Sequence, residues 1–209
     1  MKEGKTSEQA ILLAAEKEFL EKGFAAVKTT HIAAAAGVTH AMLHYYFRTK
    51  ENIFNKIYEQ KVQLLAKSVM SSFFDTQLPI KERIKRGVES HFDFLASNPS
   101  LPRFVINEII TNPKRLQKFK DTICSALSKV LQTIQEELDA AAIRGEICRV
   151  KAIDLILDAV SLNLFLFIMY PIATEMLLPM YGSEKEMLAA RRAENVQTLL
   201  YRLNPENAK

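Results

Sequence analysis

The side chains that could carry chemistry gather in one stretch, Thr29 to Lys50, which holds His31, His40 and His44, three of the four histidines. Imidazoles spaced nine and four residues apart bind a metal only with Cys or carboxylate partners in ligand register, and none is present, so no metal site is expected. The fourth histidine, His91, falls on the apolar face of a predicted helix and reads as a core residue rather than a ligand contact. Catalysis has no visible apparatus: there is no glycine-rich phosphate loop, no nucleophile elbow and no H-E-x-x-H. Glu108, Asp154 and Asp158 fall on predicted helices without a base or nucleophile to pair with. Neither enzymatic activity nor a cofactor is expected. Cys124 and Cys148 read as buried structural thiols rather than a redox pair.

What the Thr29–Lys50 stretch offers instead is a surface. Thr39, His40, Ala41, Met42, His44 and Tyr45 occupy the outward and flanking positions of a short predicted helix, and none is an acid. Between residues 22 and 61, six cations (Lys22, Lys28, Arg48, Lys50, Lys56, Lys61) face two acids (Glu51, Glu59), an excess equal to the net +4 of the whole 209-residue chain. Such a surface suits a polyanion. Lys50 falls in the first turn of the next helix, where a cation opposes the helix dipole. A phosphate there offsets that cost; neutralisation by Glu51 is the alternative.

Positioning this surface requires two short helices that cross closely. Ala33 is small enough for the crossing, Gly37 can take positive φ in the turn, and Val38 and Leu43 point inward to lock the second helix to the first. Ile32 and Phe47, with Phe19 and Leu20 from a preceding helix, complete a small core. Thr30, Thr39 and Thr49 are placed to cap helix N-termini. The major groove of DNA is wide enough to admit such a second helix.

The rest of the chain is helical by its punctuation and period. Thr6 with Gln9, and Ser183 with Glu186, are capping-box pairs. Apolar residues recur at three and four over Ile80–Leu95, Leu116–Leu138 and Ile153–Ile168, and no segment alternates with period two. The chain reads as all-α, about nine helices. Met1 to Gln9 is polar, with no leader pattern. The apolar stretch Ala159 to Thr174 is too short for a span and is broken by Pro171, so it reads as protein interior. A cytoplasmic location and no membrane partner are expected.

The run T-x-x-I-A-x-x-A-G-V-[ST]-x-x-x-L-x-x-Y-F-x-x-K-E, from Thr29 or Thr30 through Glu51 and preceded by Lys22-Gly23-Phe24, resembles the DNA-binding signature of the tetracycline-repressor (TetR) family. The likeness covers about a quarter of the chain. It implies a DNA-binding domain over residues 1–50, and a helical effector-binding and dimerisation domain over 51–209. It further implies a homodimeric repressor that binds a palindromic operator and is released by a small apolar effector. By residue, it implies sugar-phosphate contacts from Thr30, His44, Tyr45 and Lys50, and base-edge or groove contacts from Thr39, His40, Ala41 and Met42. The chain departs from the usual pattern at His40, where Lys or Arg is frequent, and at Met42, where Thr or Asn is frequent.

Aromatic content between residues 92 and 170 suits either plain core or an apolar cavity, and for a cavity Phe92, Phe104, Asn107, Phe165 and Met169 are the candidate ligand-binding residues. Dimerisation is expected through a four-helix interface. It would use Ile153, Leu157, Val160, Leu164 and Ile168 with Val196, Leu199, Leu200 and Leu203. The helix starting at Thr49 is expected to run to about Phe73 and to serve both domains.

Overall fold

The computed structural model describes residues 6–70 and 78–207, and among them there is no strand. Ten α-helices follow in order: α1 Ser7–Ala26, α2 Thr29–Ala35, α3 His40–Phe47, α4 Lys50–Met70, α5 Ile80–Ala96, α6 Leu101–Thr111, α7 Pro113–Ile143, α8 Ala152–Ile168, α9 Tyr170–Tyr181 and α10 Glu184–Arg202. A 3-10 turn at Pro205–Asn207 ends the described chain. The expected terminus of α4 near Phe73 lies outside the described residues. No single helix among those described is long and apolar enough to cross a membrane.

The helix absent from the sequence expectation is α9. Pro171 breaks the apolar period, and it does end the direction of α8, since α8 and α9 meet at 87°. Proline lacks only an N–H that a first turn leaves unpaired, so Pro171 sits in the opening turn of α9 and starts it.

The chain divides into two compact units, Met1–Gln63 and Leu64–Lys209. In the N-terminal unit, the capping box holds as expected: Gln9 N–H donates to Thr6 Oγ1 at 3.4 Å and Thr6 N–H to Gln9 Oε1 at 3.2 Å. Ile11, Ala15 and Phe19 recur at spacing four and are fully buried. Ile53, Phe54, Ile57 and Tyr58 close the same core from α4, which is why the unit extends past the start of that helix. Phe19, Phe24 and Phe54 form an aromatic cluster, with ring centroids at 4.9 and 5.0 Å from Phe54 in edge-on geometry. Gly23, at φ 73°, kinks α1 just ahead of Phe24. Only glycine takes that conformation without strain.

In the C-terminal unit, one apolar cluster joins Ile84 and Val88 of α5, Ile134 and Leu138 of α7, Leu155 and Ile156 of α8, and Val196, Leu199 and Leu203 from the end of the chain. This corrects the expected subunit interface. Val196, Leu199 and Leu203 are already buried within their own unit and have no apolar surface left to share. Glu108, which has no partner visible in the sequence, is buried on α6 against Arg115 of α7, the guanidinium donating to its carboxylate. Cys124, expected to be buried, is exposed; Cys148 is half-buried, and its thiol donates to the Arg202 carbonyl at 3.0 Å.

Candidate nucleic-acid interface

The turn between α2 and α3 depends on Gly37, which sits at φ 67°. Ile32 and Ala33 from α2 and Leu43 and Phe47 from α3 are buried, while Val38 and Leu20 are only half-buried. Thr39 caps α3 by accepting from Met42 N–H at 3.2 Å, and Thr49 does the same for α4 from Asn52 N–H at 3.1 Å. Thr30 does not cap: α2 is preceded by Lys28, which makes no side-chain cap, and Thr30 lies exposed in the first turn.

With Leu43 and Phe47 turned inward, Thr39, His40, Ala41, Met42, His44 and Tyr45 are all exposed. Tyr45 is 80% exposed, with the Tyr46 ring against its edge at 5.4 Å. Folding gives no reason to leave so large an aromatic group in water. His40 Nε2 lies 3.0 Å from Thr29 Oγ1, joining the first turns of α3 and α2. The helix carries no acidic residue in its first turn or along its length, so a phosphate backbone meets no like charge.

The cations divide differently from the sequence expectation. Lys22 pairs with Glu18, Lys56 with Glu8 and Lys61 with Glu16, all within the same unit. Lys50, expected on a phosphate, is half-buried. Its ammonium donates to the carbonyls of Phe24 at 2.9 Å, Val27 at 3.0 Å and Ala25 at 3.5 Å, and sits 4.3 Å from the Phe24 ring centroid. An ammonium has three donors, and all three go to the end of α1. A cation at a helix C-terminus is favourable, so Lys50 gains from the α1 end what it loses at the α4 start. Among the described residues, Lys28 and Arg48 are the two of the six with no such partner, one at each end of the α2–α3 pair.

Arg48 was not singled out in the sequence, and its signal is conformational. It is the only non-glycine residue among those described with positive φ, 61°, a conformation that costs an L side chain of order 1 kcal/mol. Arg48→Gly is therefore expected to leave the unit as stable or up to about 1 kcal/mol more stable. It should also weaken DNA binding and lower the log–log salt slope by about 0.9 per subunit. Thermal melts and binding isotherms at several salt concentrations check both; a destabilised variant with unchanged slope sinks this reading of Arg48.

The C-terminal unit contains an apolar cavity of about 170 Å³. It is lined by Leu65 and Ala66 of α4, His91 of α5, Phe119, Ile123 and Leu127 of α7, and Ile153, Ile156, Leu157, Val160 and Leu164 of α8. None of the five candidate ligand residues lines it. Phe92 is buried beside His91 but packs on Phe167 at 5.4 Å, and Phe104 is buried on α6. Asn107 and Phe165 are exposed, and Met169 is the half-buried C-cap of α8. Aromatic type pointed to the core and the surface rather than to the cavity, whose walls are mostly aliphatic. Ile153, Leu157, Val160 and Leu164, expected at a subunit interface, face this space.

Comparison with known proteins agrees with this geometry. Residues 11–57 match the family model described as bacterial regulatory proteins, tetR family. The chain is 23% identical over 150 residues to the HTH-type transcriptional activator FasR of Mycolicibacterium smegmatis, spanning 71% of this chain and 68% of FasR. It is 44% identical over 55 residues to the HTH-type transcriptional repressor BepR of Brucella suis, 26% of either chain. In fold it is similar to the crystal structure of the TetR family transcriptional regulator PfmR of Thermus thermophilus, with a TM-score of 0.65 and 20% identity over 96% of this chain and 99% of that one. A helix-turn-helix built on Ala33, Gly37 and Leu43 lies inside the matched segment, so residues 11–57 form a DNA-binding segment of the kind found in bacterial regulatory proteins of the tetR family, set in an all-helical frame.

Proposed function

We propose that the protein is a ligand-responsive repressor that binds a palindromic operator as a homodimer. Residues 1–50 act as the reading head and 51–209 as the sensing and dimerising part. The observation that supports this best is the acid-free exposed face of α3, held outward by buried Leu43 and Phe47. In this reading Thr39, His40, Ala41 and Met42 meet base edges. Thr30, His44 and Tyr45 meet the sugar-phosphate backbone, with Lys28 and Arg48 added to them and Lys50 set aside. Repression is favoured by the 44% identity of the reading-head segment to a protein named as a repressor.

Dimerisation is assigned to the outward faces of α8 and α10. These helices run antiparallel as neighbours, since Asn195 bonds Leu162 and Asn163 while Arg202 pairs with Asp158. Leu157, Ser161 and Phe165 on α8, and Ala193, Gln197 and Tyr201 on α10, recur at spacing four and are exposed. A mixed face of this kind, with Leu157, Phe165 and Tyr201 exposed on it, is what a two-fold contact covers. Two heads so paired meet major grooves roughly 34–36 Å or a little more apart. An effector that prefers a state with the heads misplaced by about 1.4 kcal/mol lowers operator affinity tenfold.

Selection of bound duplexes from a random pool should return an inverted repeat, and light scattering at micromolar concentration should give a dimer. Substitution of His40 or Met42 should alter the selected bases. A monomer, or a selected site without two-fold symmetry, defeats the proposal.

A further inference from the structure

Among the described residues the cavity wall carries one polar side chain, His91, and its hydrogen bonding is incomplete. His91 is 3% exposed, and its Nε2 is buried without a hydrogen-bond partner. Its Nδ1 lies 3.2 Å from Asn163 Nδ2. Which ring nitrogen bears the proton can be worked out along a chain of four side chains. Arg191 can only donate, and its guanidinium lies 3.0 Å from Asn195 Oδ1. That fixes the Asn195 amide, whose two N–H bonds go to the Leu162 carbonyl at 3.1 Å and to Asn163 Oδ1 at 2.9 Å. Asn163 is then fixed in turn, its two N–H bonds going to the Val88 carbonyl at 2.9 Å and to His91 Nδ1. Nδ1 is therefore an acceptor. A neutral imidazole that accepts at Nδ1 carries its hydrogen on Nε2, and that hydrogen has no acceptor among the described residues.

We propose that this cavity binds a small, uncharged, apolar molecule with one hydrogen-bond acceptor, a carbonyl oxygen, which receives the Nε2–H of His91. This deepens the ligand-responsive reading above and rests on it for the effect on DNA. Cavities of about 150 Å³ hold a benzene ring, so 170 Å³ suits a ligand of about that size. Among the described residues the remaining lining is hydrocarbon and contains no cation to balance a carboxylate, so a neutral ketone, ester or amide is favoured over an acid. An unpartnered N–H on a residue that lines an apolar cavity discriminates, once a ligand reaches it, by penalising ligands that cannot accept.

Acetophenone and ethylbenzene have nearly the same shape and differ in one carbonyl oxygen, and benzoate adds a charge. Titration of the full-length protein, followed by calorimetry, should show acetophenone binding at least about tenfold more tightly than ethylbenzene or benzoate, the equivalent of one net hydrogen bond. In His91→Phe the preference over ethylbenzene should vanish. Nitrogen–proton correlation spectra of the wild-type protein, which need no variant, should place the His91 proton on Nε2 and shift it when acetophenone is added. Equal affinities, no binding by either neutral probe, tighter binding of benzoate, or a proton on Nδ1 would each overturn the assignment. Operator release is read in a separate binding assay. Acetophenone binding without release leaves the His91 site standing and refutes ligand control of DNA binding.

Discussion

Lys50→Met is expected to lower the unfolding free energy of the N-terminal unit by about 2–4 kcal/mol and to weaken DNA binding without changing its salt slope. The ammonium makes three hydrogen bonds to carbonyls at the end of α1. Loss of hydrogen bonds to a charged group costs about 1.5–3 kcal/mol, and loss of the contact over the Phe24 ring adds about 0.5–1 kcal/mol. Methionine keeps the apolar stem, so the loss reports the charge. The carbonyls of Phe24 and Val27 flank the segment that leads into α2, so their release loosens the base on which the helix pair stands. Binding should then fall by a similar factor at every salt concentration. A phosphate contact by Lys50 predicts the reverse, a slope smaller by about 0.9 per subunit with little change in stability. Denaturant unfolding and salt-dependent isotherms on the same variant decide between them.

The Lys50 result shows where the sequence was legible. Gly37, Leu43 and Phe47 could be placed from their spacing because a helix-turn-helix is a local object: each residue's neighbour lies within a few turns of it. The caps at Thr6, Thr39 and Ser183 were legible for the same reason, since each bonds the N–H three residues on. Lys50 finds its partners 23 to 26 residues earlier, and nothing in the local pattern marks a carbonyl as an acceptor. Counting charge misled similarly. Glu8 and Glu16, which pair with Lys56 and Lys61, stand on α1 outside the window counted.

The C-terminal unit was legible as helices but not as a site. A period of three and four marks a buried stripe without telling core from cavity wall. Ile156 lines the cavity and also belongs to the packed cluster, while Leu157 lines it although 55% exposed. Val196, Leu199 and Leu203 looked like an interface because their partners on α5 are far away in sequence. His91 was correctly placed on an apolar face, but a core histidine with both nitrogens bonded and one with a free N–H have the same sequence. The difference lies in Asn163 and Asn195, 72 and 104 residues away.

Acidification from pH 7 to pH 4 is expected to remove on the order of 3 kcal/mol of stability that His91→Phe does not lose. Burial lowers the His91 imidazole to about 4 from its ordinary 6.5, so the folded protein holds it neutral while the unfolded chain protonates it. The contribution is complete above pH 6.5, falls away between 6.5 and about 4 as the unfolded state takes the proton, and is flat below that. Ion pairs such as Arg192 with Glu89 and Asp93 are common to wild type and variant. The measurement is therefore the difference between wild type and variant, from urea unfolding at pH 7, 6, 5 and 4. Parallel curves would mean that His91 titrates like an exposed histidine. The bonding network opposes protonation as well. A proton added at Nδ1 would point at the Asn163 amide, whose two hydrogens are already directed at His91 and Val88. Turning Asn163 over would set its nitrogen against that of Asn195, and turning Asn195 over would set its nitrogen against Arg191, which has no acceptor to offer. The chain cannot reverse direction, so the acid form of His91 must break a buried hydrogen bond as well as bury a charge.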